Sequence, residues 1–387
     1  MKIYGYYHDF DRTYFGVEHR EMSIKVSVIT PCLNSEKTIG NTIESVLGQT
    51  YENIEYIIID GGSVDGTVSV IEQYMPQFQG KMRYISEKDS GIYDAMNKGI
   101  LLASGDVIGI INSDDWYEQD AVQRIVQCFY KTDAEIVYGE KWVVNGEGQR
   151  EYHTIHSAFP PHPSTFVKKE VYQRHGMFDS KYRIAADREL LLRFIAKGVQ
   201  FWHIDEILAN FRRTGISNLN RMECAKEAHK IDLQYLGACS DNILRREDIE
   251  EKYDREKFVY ISRKLPEVIK NKFSSQFDIT NGLVIFGAGV CGKELETVLR
   301  RCGVPVRFFV DNEEKKWGLE LNGNKIFSPE ILRYGRIHVI VTASRFRKVI
   351  CRQLQNYSNQ DLTWEVLEDV RKDVVSQWDK LFAEVNL

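Results

Sequence analysis

No apolar run in this chain approaches the ~20 residues that a helix needs to cross a bilayer, so no helical membrane span is expected. The opening segment, "MKIYGYYHDFDRTYFGVEHREM", lacks an apolar core of the kind that marks a secretory leader. The seven cysteines (Cys32, Cys128, Cys224, Cys239, Cys291, Cys302 and Cys351) form no C-x-x-C pair. Their odd number and scatter argue against a zinc site and for reduced thiols in a cytoplasm. Excess positive charge is also missing: the net charge is −5. General affinity for nucleic acid or an anionic membrane is therefore not expected. Internal repeats and low-complexity stretches are absent too. What remains is 387 residues, 43% apolar and 12% aromatic, enough for two or three domains with real cores.

Residues 1–22 have no clear periodicity. They read as an N-terminal extension, or else Met22 is the natural start. From residue 23 strands and helices alternate. "KVSVIT", "IEYIIID", "MRYISEKD" and "DVIGIIN" read as four strands, the β-branched ones covered on both faces. Between them lie the helices "EKTIGNTIESVLGQ", with Asn34 and Ser35 as caps, "VSVIEQYM", opened by Asp65 and Thr67, and "GIYDAMNKGILLAS". This rhythm gives an α/β fold with a mostly parallel sheet, whose ligands sit at the carboxyl ends of the strands. After residue 135 the order changes. "EIVYGEKWVVN" and "REYHTIH" read as a hairpin around Gly146-Glu147-Gly148. The helix "DRELLLRFIAKG" and the strand "VQFWHIDEILANFRR" follow. Residues 221–278 are charge-rich and helical and read as a bridge. A second, smaller α/β module spans 279–358, and 359–387 reads as an amphipathic helix.

Asp60, Asp89, Asp114 and Asp115 all fall at predicted strand exits. Either they are four independent turn residues, or they line an acidic crevice. A crevice of this kind suits Mg²⁺ or Mn²⁺ together with a nucleotide diphosphate that supplies further oxygens. The adjacent pair in "INSDDW" repels itself and is costly to desolvate without a positive partner.

"KVSVITPCLNSEKTIGNTIESVLGQTYENIEYIIIDGGSVDGT", "EKDSGIYDAMNKGI" and "SGDVIGIINSDD" together resemble the family 2 glycosyltransferases of GT-A fold. The bacterial branch that builds O-antigens and capsules is the most similar. The resemblance covers roughly residues 23–220. It implies that Thr30 and Pro31 line the base pocket and that Asp60 accepts a hydrogen bond from uracil. It places Asp89, Gly91 and Asp94 along the nucleoside side of the crevice. Lys98 would face the phosphates, or else is a solvated helix lysine. "NSDD" matches the family's D-x-D motif, with Asn112 in place of the first acid. That makes Asp114 the main ligand of Mg²⁺ or Mn²⁺, with Asp115 a second ligand or a residue behind it. In "IAADRELLLRF" the family's Glu-Asp pair becomes Ala186-Asp187. Asp187 is then the general base on an acceptor hydroxyl, or a plain helix cap. Glu189 and Arg193 pair on that helix. His162 in "PPHPSTF" lies on the acceptor side or packs a loop. Arg212 and Arg213 clamp the diphosphate or form a solvated pair. The resemblance thus implies an inverting, metal-dependent transfer from a UDP-sugar to a lipid-linked oligosaccharide in surface polysaccharide synthesis. The protein would be cytoplasmic, peripheral at the inner membrane face, and a homo-oligomer is left open.

"VIFGAGVCGKE" carries Gly287, Gly289 and Gly292, with Asp311 at the next strand end, 22 residues past Gly289. This is the context of a dinucleotide fingerprint. The module resembles the small Rossmann-like units of some polysaccharide-synthesis proteins and sugar acyltransferases. It serves for packing or dimerisation, binds a nucleotide or nucleotide sugar, or belongs to an oxidoreductase or epimerase. The last lacks any Tyr-x-x-x-Lys or other hydride-site signature. A non-catalytic scaffold in a synthesis complex is the third class.

Overall fold

The computed structural model describes residues 24–155, 159–215, 220–239, 244–276, 279–343, 346–357 and 361–385. The extension expected over 1–22 lies outside the described residues. The chain divides into two compact units, Met1–Arg246 and Glu247–Leu387.

The first unit is built on β1 (Val26–Cys32) and β2 (Ile54–Asp60), buried at every position. Runs such as "VSVIT" and "IEYIIID" have no polar face, so helices must cover both sides. β3 (Met82–Ser86) lies parallel beside β2, and β4 (Val107–Ile110) parallel beside β1. The connecting helices are α1 (Ile39–Leu47), α2 (Thr67–Tyr74) and α3 (Ile92–Leu102). The strand order 3-2-1-4 reverses direction between β1 and β4. That reversal opens a crevice at the carboxyl ends of these two strands.

Beyond β4 the sheet becomes mixed. β5 (Trp116–Tyr117) leads into α4 (Ala121–Lys131). β6 (Ile136–Val144) and β7 (Arg150–His153) form the expected hairpin. β8 (Thr165–Lys168) runs antiparallel to both β4 and β6, and β9 (Phe201–Arg212) parallel to β6. α5 (Lys169–His175) and α6 (Ala186–Ala196) lie between β8 and β9, and α7 (Arg221–Tyr235) follows.

Asn34 and Ser35 do not cap α1; Thr38 occupies that position. Asn34 takes a left-handed φ of 50° and its side chain accepts Val64 N–H at 3.0 Å. Ser35 reaches Ser113 at 2.8 Å. The polar residues after β1 therefore stitch neighbouring strand-exit loops together. Asp65 does open α2, accepting from Thr67 N and Oγ1 at 3.0 and 2.5 Å.

The stretch read as a bridge over 221–278 is divided. α7 packs on α6 in the first unit. α8 (Arg246–Lys264) and α9 (Pro266–Gln276) bury Phe258, Ile261, Ile269 and Phe273 in the core of the second. That core also holds Leu283, Ile285, Leu295, Phe309 and Ile340. Apolar residues spaced among the charges decide the matter, because they need a partner to leave water.

The second unit is a six-stranded sheet with order β12-β13-β11-β10-β14-β15. Its strands are β10 (Leu283–Phe286), β11 (Val306–Val310), β12 (Glu320–Leu321), β13 (Asn324–Phe327), β14 (Ile337–Val341) and β15 (Leu362–Val366). All pairings are parallel except β12 with β13. α10 (Val290–Arg301) and α11 (Arg347–Gln355) connect them. The tail read as helix from 359 begins instead with β15, and α12 (Leu367–Val385) follows. "LTWEV" is β-branched and aromatic, and it pairs with the edge of β14.

Candidate active site

Asp114 and Asp115 leave β4 at the crevice. Asp114 is half-buried, and its carboxylate takes no hydrogen bond from another described residue. Burial pushes its carboxyl up, opposed by its own backbone N–H and by Arg212. Asp115 is fully buried. Its Oδ1 accepts the N–H of Arg212 at 2.8 Å, while Oδ2 has no partner. Burial, then Asp114 beside it, pushes Asp115 well above the usual carboxylate range; the Arg212 N–H and the Lys141 charge oppose this. The buried Oδ1 of Asn112 is likewise unpartnered. An enclosed carboxylate oxygen with no donor is expensive, and three hard oxygen donors in four residues fit a Mg²⁺- or Mn²⁺-sized ion. Among the described residues no three His, Cys, Asp or Glu side chains converge as a complete metal cage. A cation here would need oxygens from a ligand, as a diphosphate provides.

The residues expected at the base pocket lie at the ends of β1 and β2. Thr30 is fully buried and its hydroxyl accepts from Tyr56 Oη at 3.0 Å. Pro31 is buried with it. Both are covered, as is every position of β1. Asp60 stands at the exit of β2, fully buried and already satisfied. Its oxygens accept from Ser86 Oγ at 2.6 Å, from Ser63 N at 3.0 Å, from Gly62 N at 3.2 Å and from Ser63 Oγ. Burial opposes its charge, yet the Ser63 and Ser86 hydrogen bonds prevail and hold its carboxyl below the usual range. A nucleobase would have to displace Ser63 to reach it.

Asp89 is more open. It accepts Gly91 N–H at 2.9 Å and lies against Gly61, where an added Cβ would meet its Oδ2 at 2.5 Å. Gly91 begins α3 with a φ of 123°, a conformation that side chains disfavour. Asp94 accepts Ser90 N–H at 3.0 Å. Lys98 pairs with Glu87 at 2.8 Å and with Asp94 at 3.5 Å. Arg213 pairs with Glu151 at 2.7 Å. Arg212 donates to the carbonyls of Gly146 (2.7 Å) and Asp114 (3.2 Å) and lies over the Trp116 ring. The cations expected at the phosphates thus each have partners within the protein.

Asp187 is the second residue of α6; the cap position belongs to Ala185. Its Oδ1 accepts from Arg188 N at 2.9 Å and from Tyr93 Oη at 3.3 Å. The loop before it is fixed from α7, where Glu227 accepts the N–H groups of Arg183, Ile184 and Ala185 at 2.8, 2.8 and 3.0 Å. Arg188 and Asp232 pair across the same two helices. Glu189 and Arg193 pair as expected, at 2.9 Å.

His162 opens a short 3₁₀ turn before β8. Burial pulls its imidazole below the usual range, while Asp187 opposes and Lys141 reinforces that shift. Lys141 on β6 was not singled out by the sequence. Its ammonium lies 4.0 Å from the Phe211 ring centroid. Burial lowers its pKa; Asp115, then Asp187, then Glu140 oppose.

In the second unit, a cavity of about 610 Å³ lies at the ends of β10, β11 and β14. Gly289 faces open space, and a Cβ on Gly292 would meet the carbonyl oxygen of Gly287 at 2.0 Å. Gly287 itself has a φ of 112°. The strand-to-helix turn is thus tight and closely packed at Gly287 and Gly292 and open at Gly289. Asp311, however, accepts Ala288 N–H at 2.8 Å and Glu313 N–H at 2.9 Å, and pairs with Lys316 at 3.1 Å. It braces the loop.

Residues 27–193 match the family model "Glycosyl transferase family 2", and residues 280–361 match "C2185-like, N-terminal". The glycosyltransferase GlyA of Streptococcus pneumoniae is 27% identical over 159 residues, 41% of this chain and 22% of that protein. GlyG of the same organism is 34% identical over 119 residues, 30% of this chain and 39% of that protein. The chain thus spans well under half the length of either relative. The crystal structure of S. aureus TarS 1–349 in complex with UDP aligns at 16% identity and a TM-score of 0.48, covering 65% of this chain and 77% of that one. Over residues 27–193, the chain carries a family 2 glycosyltransferase domain.

Proposed function

We propose that the first unit transfers a sugar from a UDP-sugar to an acceptor hydroxyl, with inversion at the anomeric carbon. The observation that carries this reading is the pair of buried, unpartnered oxygens at the β4 exit, Asp115 Oδ2 and Asn112 Oδ1, beside the half-buried Asp114. Oxygens that lack a cation at a strand exit give a place for a leaving diphosphate, and the carboxylate of Asp187 at the start of α6 gives a base. Asp187 receives the acceptor's proton as that oxygen attacks C1 in line, and His162 lines the acceptor side. Tyr93 and Arg188 orient the base. Asp114, with Asp115 and Asn112 behind it, would hold a divalent cation. Such an ion, when bound, offsets charge developing on the departing UDP. The acceptor in this reading is a lipid-linked glycan of a surface polysaccharide. Among the described residues no helix is long and apolar enough to cross a membrane. The module at 279–358 is accessory in the same reading.

The test is transfer or hydrolysis of UDP-sugars by the full chain with Mn²⁺ or Mg²⁺, followed as released UDP. Turnover stimulated by metal, abolished in Asp114→Ala, and yielding a β-linked product from an α-linked donor is expected. Asp114 is half-exposed at a loop, so the variant should keep its melting temperature. Metal-stimulated turnover of normal size in Asp114→Ala would remove the cation from this position.

A further inference from the structure

The negative charge of a nucleoside diphosphate has to be met by something, and the cations that the sequence nominates are all engaged. Lys98 pairs with Glu87 and Asp94, Arg213 pairs with Glu151, and Arg212 is spent on two backbone carbonyls and the Trp116 face. Asn112 also removes one acid from the metal motif, so the protein's own grip on a divalent ion rests on fewer charges. Lys141 stands apart from these. Its ammonium, over the Phe211 ring, has no carboxylate of a described residue within ion-pair distance. Its backbone is held on both sides, by Thr154 Oγ1 and Thr154 N at 3.0 Å each. β6 and β9 slip in register on either side of Glu140, and this irregularity sets where Lys141 stands in the sheet. Its position is therefore built, and its charge is uncompensated at contact distance on a partly exposed side chain. Phe211, under the ammonium, is followed by Arg212, whose N–H meets Asp115 Oδ1 at 2.8 Å. Lys141 therefore stands beside the segment that braces the β4 exit, the diphosphate end in the UDP-sugar reading.

We infer that Lys141 is a donor-binding residue whose ammonium meets the β-phosphate of the nucleoside diphosphate. This rests on the UDP-sugar reading above and adds to it a charge supplied by the chain itself. A cation of this kind retains part of the diphosphate affinity without a divalent ion. It distinguishes UDP from UMP, which lacks the β-phosphate.

Calorimetry of the full chain with UDP and with UMP, in EDTA and then in Mn²⁺, tests it. In EDTA the wild type should bind UDP at least about tenfold more tightly than UMP, the scale of a hydrogen bond to a charged group. Lys141→Met, which keeps the apolar stem over Phe211, should lose that difference while its UMP affinity stays within about twofold. Lys141→Arg should recover part of it. Equal UDP and UMP affinities for the metal-free wild type would overturn the inference without any variant, so it does not depend on Lys141→Met folding. Wild-type UDP affinity in Lys141→Met, or equal losses for both ligands, would also overturn it. A wild-type chain that binds neither nucleotide in Mn²⁺ would end the UDP-sugar reading itself and take this inference with it.

Discussion

Asp187 is second in its helix, and this changes what a substitution there reports. Asparagine keeps an oxygen for Tyr93 and Arg188 N–H to donate to, so the local geometry should hold. The loss of charge near a helix start costs only about 0.3–1 kcal/mol. What disappears is basicity. Transfer by Asp187→Asn should fall about 10²- to 10⁴-fold, with UDP affinity and melting temperature close to wild type. Normal turnover alongside a lowered melting temperature would make the residue structural and send the search for a base to His162. At this scale the sequence was informative where a residue leaves a strand into a loop, as Asp114 does. It says less where a residue is covered on every side. Thr30 and Asp60 fit a motif, but a fully buried strand gives no pattern to say which side chains would face a ligand. Lys141 was invisible for another reason. Its location depends on a slip in register between β6 and β9, two segments some sixty residues apart, and no local spacing encodes that.

Among elements, the β1–β2 pair and the loop entering β4 are pinned by one carboxylate. Glu55 accepts from Ser27 Oγ (2.5 Å), Ser104 N (2.6 Å), Ser104 Oγ (2.8 Å), Lys25 Nζ (3.1 Å) and Gly105 N (3.1 Å). Burial alone would raise its pKa; the hydrogen bonds from Ser27, Ser104 and Lys25 outweigh burial and bring it down to about 2. A depressed carboxyl stabilises the fold above its ordinary pKa, and the benefit fades as pH falls from about 4.5 toward 2. Glu55→Gln should therefore destabilise the protein by about 1–3 kcal/mol at pH 7. Urea melts should show the gap closing below pH 4. A gap independent of pH would mean that packing, not charge, holds this corner. The strand pattern made β1, β2 and β4 legible; the acid joining them was not, since a glutamate in an apolar run is silent about its partners. The role of α7 was hidden similarly. Its charges read as part of a helical bridge, yet Glu227 and Asp232 are aimed at the start of α6.

For the whole molecule, the division after Arg246 gives a sharp expectation. A fragment ending at Arg246 should be monomeric, folded and able to bind UDP. A longer fragment ending near residue 275 should behave worse, because it carries Phe258, Ile261, Ile269 and Phe273 without the strands that bury them. Gel filtration, circular dichroism and calorimetry on the two would decide; a well-behaved longer fragment beside an unfolded shorter one would refute the boundary. The alternation of strands and helices revealed two α/β units, but composition placed the border wrongly, since charge density says nothing about where the few apolar side chains go. That border has a consequence in time. During synthesis the first unit has all its strands once residue 212 has emerged, and it can fold while the ribosome is still working. The helices at 246–276 emerge next with their apolar residues uncovered, and the last strand of their sheet, Leu362–Val366, comes far later. For that interval the nascent chain displays a sticky amphipathic pair, which is where a chaperone would bind and where slowed translation would do most harm.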